Sequence, residues 1–399
     1  MPHAERLTTM RSKLLSIAVV GTVLATLTSP VAHAASYPKF PLSTKGNQII
    51  DAAGKRVIWQ GVNWYGMENE PATLIGLNAR DYKLMLKQIR QTGFNTIRIP
   101  FSMQTITKGA EVSGVADYIG SNKELKGKSP MEVLDAVIVE AEKLGLMIIL
   151  DNHSQADQGY RNDLWYGQAG FTEDMWVAMW KDLAIRYKNS PNVVGFDLKN
   201  EPHGKATWGD GAETDWRRAA ERAGREIQSV NSNPLIIVEG IENKVVGGQL
   251  LTGHWWGGNL EGVRKNPVVL PVANKIVYSL HEYGPEVSPQ PWLVSKNLEK
   301  NLLDRWDKGF GYIHDQNIAP ILVGEFGAIN YSTKTISGRW MKAFTDYLGK
   351  KGMSWTYWAW NPGSGDTGGL LTPDLVTLEK SKMPTILKLI KTQATLLKK

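Results

Sequence analysis

Two glutamates follow apolar segments of the chain, in settings that suit acid–base chemistry. Glu201 comes after residues 193–199 in an Asn-Glu-Pro sequence, and Glu325 ends residues 321–325 in a Gly-Glu-Phe sequence. Glutamate is rarely buried unless it has a partner or a function. One carboxyl can protonate the oxygen that leaves a glycosidic bond, while a second carboxylate meets the charge that develops on the sugar. If the fold brings the two groups together, the pair predicts glycosidic cleavage rather than two solvated loop carboxylates.

Other polar side chains occur within or after further apolar segments. Arg98 interrupts one segment, and a buried arginine needs an anion, for which Glu325 is the natural candidate. His153 follows another segment, and His281 and Tyr283 follow a third. Each histidine alone is more often a hydrogen-bonded structural residue than a catalyst. If the fold brings them together around one opening, however, these side chains would form a polar ring there.

Tryptophan is abundant, with 15 in 399 residues. Trp176 and Trp180 recur at helical spacing, which predicts that they are core residues. Seven others lie in or beside predicted loops and strand ends: Trp64, Trp165, Trp208, Trp255, Trp256, Trp292 and Trp358. Because the flat C–H faces of sugar rings stack on exposed indoles, a groove lined by tryptophan predicts a saccharide ligand.

Short apolar segments alternate with helical patterns from about residue 56 onward. They are mostly continuous rather than alternating, as is typical of strands buried on both faces of a parallel sheet. The eight predicted strands are 57–63, 96–100, 147–151, 193–199, 235–239, 276–280, 321–325 and 354–360. This order predicts an α/β fold, a closed (β/α)₈ TIM barrel forming a single catalytic domain over residues 35–399. An open doubly wound sheet is the alternative, but no glycine-rich phosphate turn follows the first strand.

The segments between the strands carry helix signals. Residues 129–132 read Ser-Pro-Met-Glu, a capping box with proline at the first helical position, and Gly145 ends that helix. The helix after the fifth strand has the weakest pattern. The segments that follow strands are longer than those that precede them, so we expect the chemistry at the carboxyl ends of the strands. Residues 37–55 are predicted to cover the opposite end of the barrel.

Composition limits the classes of function. With no cysteine, disulfides, thiolate metal sites and cysteine nucleophiles are excluded. The formal net charge is +7, but the basic residues form no dense patch, which argues against a nucleic-acid partner. His153, His281 and Asp151 are metal-binding residue types without metal-ligand spacing, and there is no phosphate loop or nucleophile elbow. We therefore expect no metal and no cofactor.

The first 34 residues have the pattern of a signal peptide. A basic start is followed by an apolar run over residues 14–27 and by the small-residue cleavage site Ala32-His33-Ala34. The run of roughly 14 residues is short for a membrane span, which needs about 20. We expect a secreted protein with no membrane association after cleavage.

At these motifs the sequence resembles glycoside hydrolase family 5, and within it the bacterial endo-β-1,4-glucanases of the cellulase type. The motifs are Asn200-Glu201-Pro202 and Gly324-Glu325-Phe326-Gly327, and the likeness extends from residues 57–64 to 358–362. The resemblance implies a retaining (β/α)₈ enzyme with Glu201 as acid/base and Glu325 as nucleophile. It would cut internal β-1,4-glucosidic bonds of cellulose and related β-glucans by double displacement. Separately from the resemblance, we expect a monomer.

The resemblance also implies roles for the surrounding residues. Asn200 would bond the sugar 2-hydroxyl, and Arg98 and Tyr283 would hold the nucleophile. His153 and His281 would line the same subsite. Trp358 would stack under the sugar, with Trp64 and Trp256 at flanking subsites.

Charge reasoning adds an expectation about the two glutamates. Glu325, beside Arg98 and Tyr283, should ionise readily, whereas the pKa of Glu201 should be raised by that negative neighbour.

The alternatives to an endo-β-1,4-glucanase are a β-mannanase or another β-1,4-glycanase on the same barrel, a non-catalytic carbohydrate-binding barrel, and a metal-dependent hydrolase.

Overall fold

The computed structural model describes residues 37–107, 119–159, 161–294 and 296–398, so the predicted signal peptide lies outside the described residues. Its strands, numbered in chain order, are β1 Ser43–Lys45, β2 Gln48–Ile50, β3 Arg56–Val57, β4 Gln60–Asn63, β5 Thr96–Ser102, β6 Met147–Ser154, β7 Val193–Asp197, β8 Leu235–Glu239, β9 Ile276–His281, β10 Ile321–Glu325 and β11 Ser354–Tyr357. Strands β4 to β11 are parallel neighbours in chain order, and β11 pairs with β4 to close a barrel. The predicted (β/α)₈ barrel is confirmed.

The first predicted strand, 57–63, is divided between two sheets. Val57 belongs to β3, which pairs with β2 in a small antiparallel sheet, and only Gln60–Asn63 enters the barrel as β4. The small sheet packs Leu42 and Ile49 onto barrel residues that include Trp59. These contacts lie at the amino ends of the strands, so residues 37–55 cover that end of the barrel as predicted.

The helices surround the barrel. They are Tyr82–Thr92, Met103–Thr107, Pro130–Lys143, Glu173–Arg186, Trp216–Val230, Leu298–Trp306, Tyr312–Asp315, Ile336–Lys351 and Met383–Leu396, with short 3₁₀ turns at Lys123–Leu125 and Glu261–Arg264 and a π-helical segment at Asp307–Gly311. The capping box is present, because the Ser129 hydroxyl accepts from the Glu132 N–H and the Glu132 carboxylate accepts from the Ser129 N–H. Trp176 and Trp180 are buried, as predicted.

The fifth βα unit departs from the repeat. All of residues 240–275 are described, and they contain the turn Glu261–Arg264 but no α-helix. This segment is rich in glycine and proline, which disfavour helix. It forms a long loop at the carboxyl end of the barrel instead. None of the helices that the structure describes is long and apolar enough to cross a membrane.

Candidate active site

Arg98, in β5, is the centre of a buried charge cluster. Its guanidinium donates to Asp197 Oδ2 at 2.8 Å and to Glu325 Oε1 at 2.7 Å, which confirms the predicted pairing with Glu325. It also lies 3.2 Å from Glu239 Oε1 and 3.1 Å from Asp151 Oδ1. Four carboxyl groups therefore share one guanidinium, and we call these five residues the Arg98 cluster.

Two members of the Arg98 cluster, Asp197 and Glu239, were missed by the sequence reasoning, which considered Asp151 only as a metal ligand. Asp197 and Glu239 end β7 and β8, and Asp151 lies in β6. A carboxylate at the end of an apolar strand was the signal that singled out Glu325. The same signal applies to Asp151 and Glu239, which end the predicted strands 147–151 and 235–239, whereas Asp197 was inside the predicted strand 193–199. Burial raises the pKa of Asp197 well above its usual range, and the charges of Glu239 and Asp151 add to the effect that Arg98 opposes.

Glu325 ends β10 with both carboxylate oxygens occupied. Oε1 accepts from Arg98, and Oε2 accepts from the Tyr283 hydroxyl at 2.7 Å. Its side chain is only 5 % exposed. Two donors, one in β5 and one in the loop after β9, fix this carboxylate in one orientation.

Glu201 follows β7 in a different setting. Its backbone has φ +51°, a left-handed conformation that L-residues rarely adopt. The Glu201 N–H donates to Glu239 Oε2 at 2.8 Å, and Glu201 Oε1 lies 2.8 Å from His281 Nδ1. The side chain is 19 % exposed, so water and a ligand can reach it more easily than Glu325.

The barrel brings the two glutamates together although 124 positions separate them in the chain. One carboxylate oxygen of Glu201, one of Glu325 and a ring nitrogen of His281 all lie within 4.8 Å of one another. His281 Nδ1 is 3.5 Å from Glu325 Oε2. A sugar bound across this point would contact both carboxyl groups.

The expected directions of the two pKa shifts are wrong. Burial raises the pKa of Glu325 above its usual value, and the nearby charges of His281 and Arg98 only partly oppose this. Burial also acts on Glu201, but the hydrogen bond and charge of His281 outweigh it and lower the pKa of that carboxyl. The sequence reasoning assigned Arg98 to Glu325 alone, whereas four carboxyl groups share it and His281 lies beside Glu201.

The remaining polar residues of the predicted ring lie around this pair. His153 Nδ1 is 2.7 Å from Asp151 Oδ2, and Asn200 Oδ1 accepts from Arg98 at 3.0 Å. Burial lowers the pKa of His281, but the charges of Glu239 and Glu325 raise it well above its usual value. The imidazole therefore holds a proton next to Glu201.

Two of the three predicted stacking residues are partly exposed. Trp358 follows β11 and lies parallel to Tyr65 and to His153, with ring centroids 5.2 and 5.6 Å away. Trp256 stacks on His203 with centroids 3.8 Å apart. The prediction for Trp64 is wrong, because this residue is fully buried and its indole N–H donates to the Ile75 carbonyl.

The wider prediction of a tryptophan-lined groove needs the same correction. Trp165, Trp208 and Trp255 are buried in the main hydrophobic core. A strand-end position in the sequence does not distinguish an indole that faces the cleft from one that packs beneath the loops. Partly exposed Trp292 lies against the Arg305 guanidinium, 3.6 Å from its ring centroid.

Two groups of side chains have the spacing of a metal site. In each, one donor atom per residue lies within 4.8 Å of the others; the groups are Asp151, His153 and Glu325, and Glu201, His281 and Glu325. Both groups include Glu325, which already accepts from the Arg98 guanidinium. A divalent ion would therefore lie beside a buried cation. We interpret both groups as parts of the hydrogen-bonded ring.

The model of the family described as cellulase (glycosyl hydrolase family 5) matches residues 50–364. An endoglucanase of Paenibacillus polymyxa is 45% identical over 364 residues, which cover 91% of this chain and 90% of the relative.

Two solved structures also resemble it. The catalytic domain of the major endoglucanase from Xanthomonas campestris pv. campestris superposes with a TM-score of 0.81 at 36% identity, covering 88% of this chain and 99% of that one. An endocellulase variant from Pyrococcus horikoshii, in complex with cellotetraose, has a TM-score of 0.80 at 33% identity, with 88% and 100% covered. With its barrel and its pair of strand-end glutamates, this chain belongs to glycosyl hydrolase family 5 and is a glycoside hydrolase.

Proposed function

We propose that the protein is a secreted, retaining endo-β-1,4-glucanase that cuts internal bonds of cellulose and related β-glucans. The observation that carries the proposal is that one carboxylate oxygen of Glu201 lies within 4.8 Å of one carboxylate oxygen of Glu325. In retaining enzymes the two carboxyl groups are about 5–5.5 Å apart, whereas inverting enzymes separate them by roughly 6.5–9.5 Å to admit a water.

Glu325 is the nucleophile in this proposal. Arg98 and Tyr283 hold its two oxygens, so it attacks the anomeric carbon from a fixed position. Attack forms a covalent glycosyl–enzyme intermediate and neutralises the charge of Glu325. The Arg98 cluster then retains its other carboxyl partners, so the guanidinium is not left unpaired.

Glu201 is the acid/base. It must carry a proton when the glycosidic oxygen leaves, and its Oε1 lies 2.8 Å from His281 Nδ1. After the intermediate has formed, Glu201 is a carboxylate again. It then takes a proton from the water that attacks the anomeric carbon, which releases the sugar with its original configuration.

The proposed substrate follows from the aromatic residues and from the relatives. Trp358 is partly exposed beside His153 and so beside the Arg98 cluster, where a sugar ring could stack on it. Relatives that are 45% and 38% identical over the aligned residues are named endoglucanases, and one similar endocellulase was solved with cellotetraose. The long loops at the carboxyl ends of the strands favour internal cleavage in an open cleft.

A panel of soluble polysaccharides tests the substrate. Carboxymethylcellulose and mixed-linkage glucan should be hydrolysed much faster than mannan or xylan. Viscosity of carboxymethylcellulose should fall well before reducing ends accumulate. Preference for mannan would favour the β-mannanase alternative, and release of only a terminal disaccharide would exclude internal cleavage. N-terminal sequencing of the exported protein should begin at Ala35.

A further inference from the structure

His203, two residues after the acid/base, lies between three groups at once. It is buried, with only 4% of its surface exposed. Its Nδ1 is 2.6 Å from the carbonyl oxygen of Glu201, and its Nε2 is 3.4 Å from Asp163 Oδ1. Its ring lies flat on Trp256, with centroids 3.8 Å apart and an interplanar angle of 5°.

The contact with Glu201 fixes the backbone of that residue. A carbonyl oxygen only accepts, so His203 Nδ1 carries the hydrogen and donates it. The Glu201 N–H is held in turn by Glu239. Because an L-residue at φ +51° needs its surroundings to keep it there, these two contacts, one on each side of its Cα, orient the Glu201 side chain.

The contact with Trp256 covers one face of a partly exposed indole. The next residue, Gly257, donates its N–H to the Pro202 carbonyl at 3.3 Å, so the Trp256 loop is tied to the Glu201 segment. The Trp256 side chain is partly exposed, so a ligand can reach the part of the indole that His203 does not cover. The acid/base protonates the oxygen that stays with the departing sugar, so a ring stacked on Trp256 would be on the departing side.

Asp163 contacts both the imidazole of His203 and the backbone around it. The His203 N–H donates to the Asp163 carbonyl at 3.2 Å, and the Lys205 N–H donates to Asp163 Oδ2 at 3.2 Å. Gly204, at φ +52°, lies so close to Asp163 that a Cβ there would be 2.5 Å from Oδ2. The segment 203–205 is therefore built tightly around this carboxylate.

We propose that His203 is a positioning residue for the leaving-group half of the site. It orients the acid/base through its hydrogen bond to the Glu201 carbonyl. It also packs against one face of Trp256, and the indole of Trp256 is the surface on which the departing sugar stacks. The inference rests on the proposed role of Glu201 as acid/base.

Two substitutions separate the contact of His203 with the Glu201 carbonyl from its contact with Trp256, because each removes only one of them. His203→Asn keeps an N–H donor near the position of Nδ1 but removes the ring, whereas His203→Phe keeps a ring against Trp256 but removes the donor. His203→Ala removes both. His314→Asn, at a half-buried histidine beside the small sheet, is the matched control.

Each variant is assayed on cellopentaose and on aryl β-cellobiosides with leaving groups of different pKa. His203→Ala should lower kcat/KM on cellopentaose by at least about tenfold, because the acid/base is misplaced. On 2,4-dinitrophenyl β-cellobioside the loss should be less than about threefold, because dinitrophenolate departs without needing a proton. His203→Phe should show a steeper dependence of kcat/KM on leaving-group pKa. His203→Asn should raise KM for cellopentaose and keep the dependence of the wild type, and the control should match the wild type throughout.

Equal losses on every substrate in all three variants would overturn the inference, because His203 would then act only in folding. If the His203 variants do not fold, Trp256→Ala decides. It should raise KM for cellopentaose without changing the leaving-group dependence, and an unchanged KM would overturn the proposed platform. Failure of the proposed function is distinguishable, since the wild type would then not hydrolyse cellopentaose or would invert its configuration.

Discussion

The two halves of the site hold their carboxylates in opposite ways. In the nucleophile half, Glu325 is fixed by side chains, since Arg98 and Tyr283 occupy both oxygens and the group is nearly buried. In the acid/base half, Glu201 is fixed mainly through its backbone, and its side chain is 19 % exposed. A nucleophile needs one orientation, whereas an acid/base must gain and lose a proton and admit water. The difference in burial and in anchoring matches this difference in task.

Replacing the nucleophile should have the largest effect. Glu325→Gly should reduce turnover of cello-oligosaccharides by at least about 10⁴-fold, because no covalent intermediate can form. Azide should restore cleavage of an activated aryl cellobioside and give the α-glycosyl azide. The readout is product analysis by NMR, with Glu213→Gly, on an exposed turn, as the control. A β-azide from this variant would reverse the two assignments.

Replacing the acid/base should have a smaller effect that depends on the leaving group. Glu201→Ala should lower kcat/KM for cello-oligosaccharides by about 10²–10⁴-fold but largely spare 2,4-dinitrophenyl β-cellobioside, whose departure needs no proton. Azide should accelerate turnover and give the β-glycosyl azide. Equal losses on the two substrates would contradict the division between the halves.

A third prediction concerns the pH dependence of stability and the buried carboxyl of Glu282, next in the chain to Tyr283 of the nucleophile half. Glu282 lies between His281 and Tyr283, accepts from the Trp306 indole at 2.9 Å, and is buried, which raises its pKa to about 7. The indole N–H groups of Trp255 and Trp340 also favour its charged form but do not reach hydrogen-bond geometry. Between pH 4.5 and about 7 the unfolded chain has lost this proton while the folded protein keeps it. This carboxyl therefore reduces stability as pH rises through that window.

Glu282→Gln should remove this loss while keeping an acceptor for the indole of Trp306. Its free energy of unfolding relative to the wild type should increase by up to about 3 kcal/mol between pH 4.5 and 7.5. Urea unfolding across that range measures the difference. Parallel stability curves for the two proteins would show that Glu282 does not titrate in this window.

The smallest expected effect concerns stacking. Trp358 lies against His153 and so belongs to the nucleophile half. Trp358→Ala should weaken turnover of every substrate by a similar factor, since stacking contributes about 0.5–1.5 kcal/mol beyond area burial. The ratio of kcat/KM for cellopentaose to that for the dinitrophenyl substrate should stay constant. A loss confined to poor leaving groups would place Trp358 in the acid/base half instead.

Much of the fold could be predicted from the sequence because barrel strands are continuous apolar segments that end in recognisable polar residues. Residues 235–239 and 321–325 were predicted with the strand bounds of β8 and β10. The pairing of Arg98 with Glu325 followed from the need of a buried cation for an anion. The loop in the fifth βα unit was foreseen only as a weak helix pattern.

The rest depends on distances between segments far apart in the chain. That Arg98 is shared by four carboxyl groups, and that His281 lies beside Glu201, reversed the expected pKa shifts. Burial of Trp64 depends on the loop containing Ile75 that packs over it. His203 gave no sequence signal beyond its place after Glu201-Pro202.

The stereochemistry of the first product tests the central claim most directly. Hydrolysis of a cello-oligosaccharide by the wild type is followed by ¹H NMR within the first minutes, before mutarotation mixes the anomers. Double displacement by Glu325 and Glu201 predicts that the β-anomer appears first and the α-anomer only as mutarotation proceeds. Initial release of the α-anomer would show net inversion and would contradict the retaining mechanism.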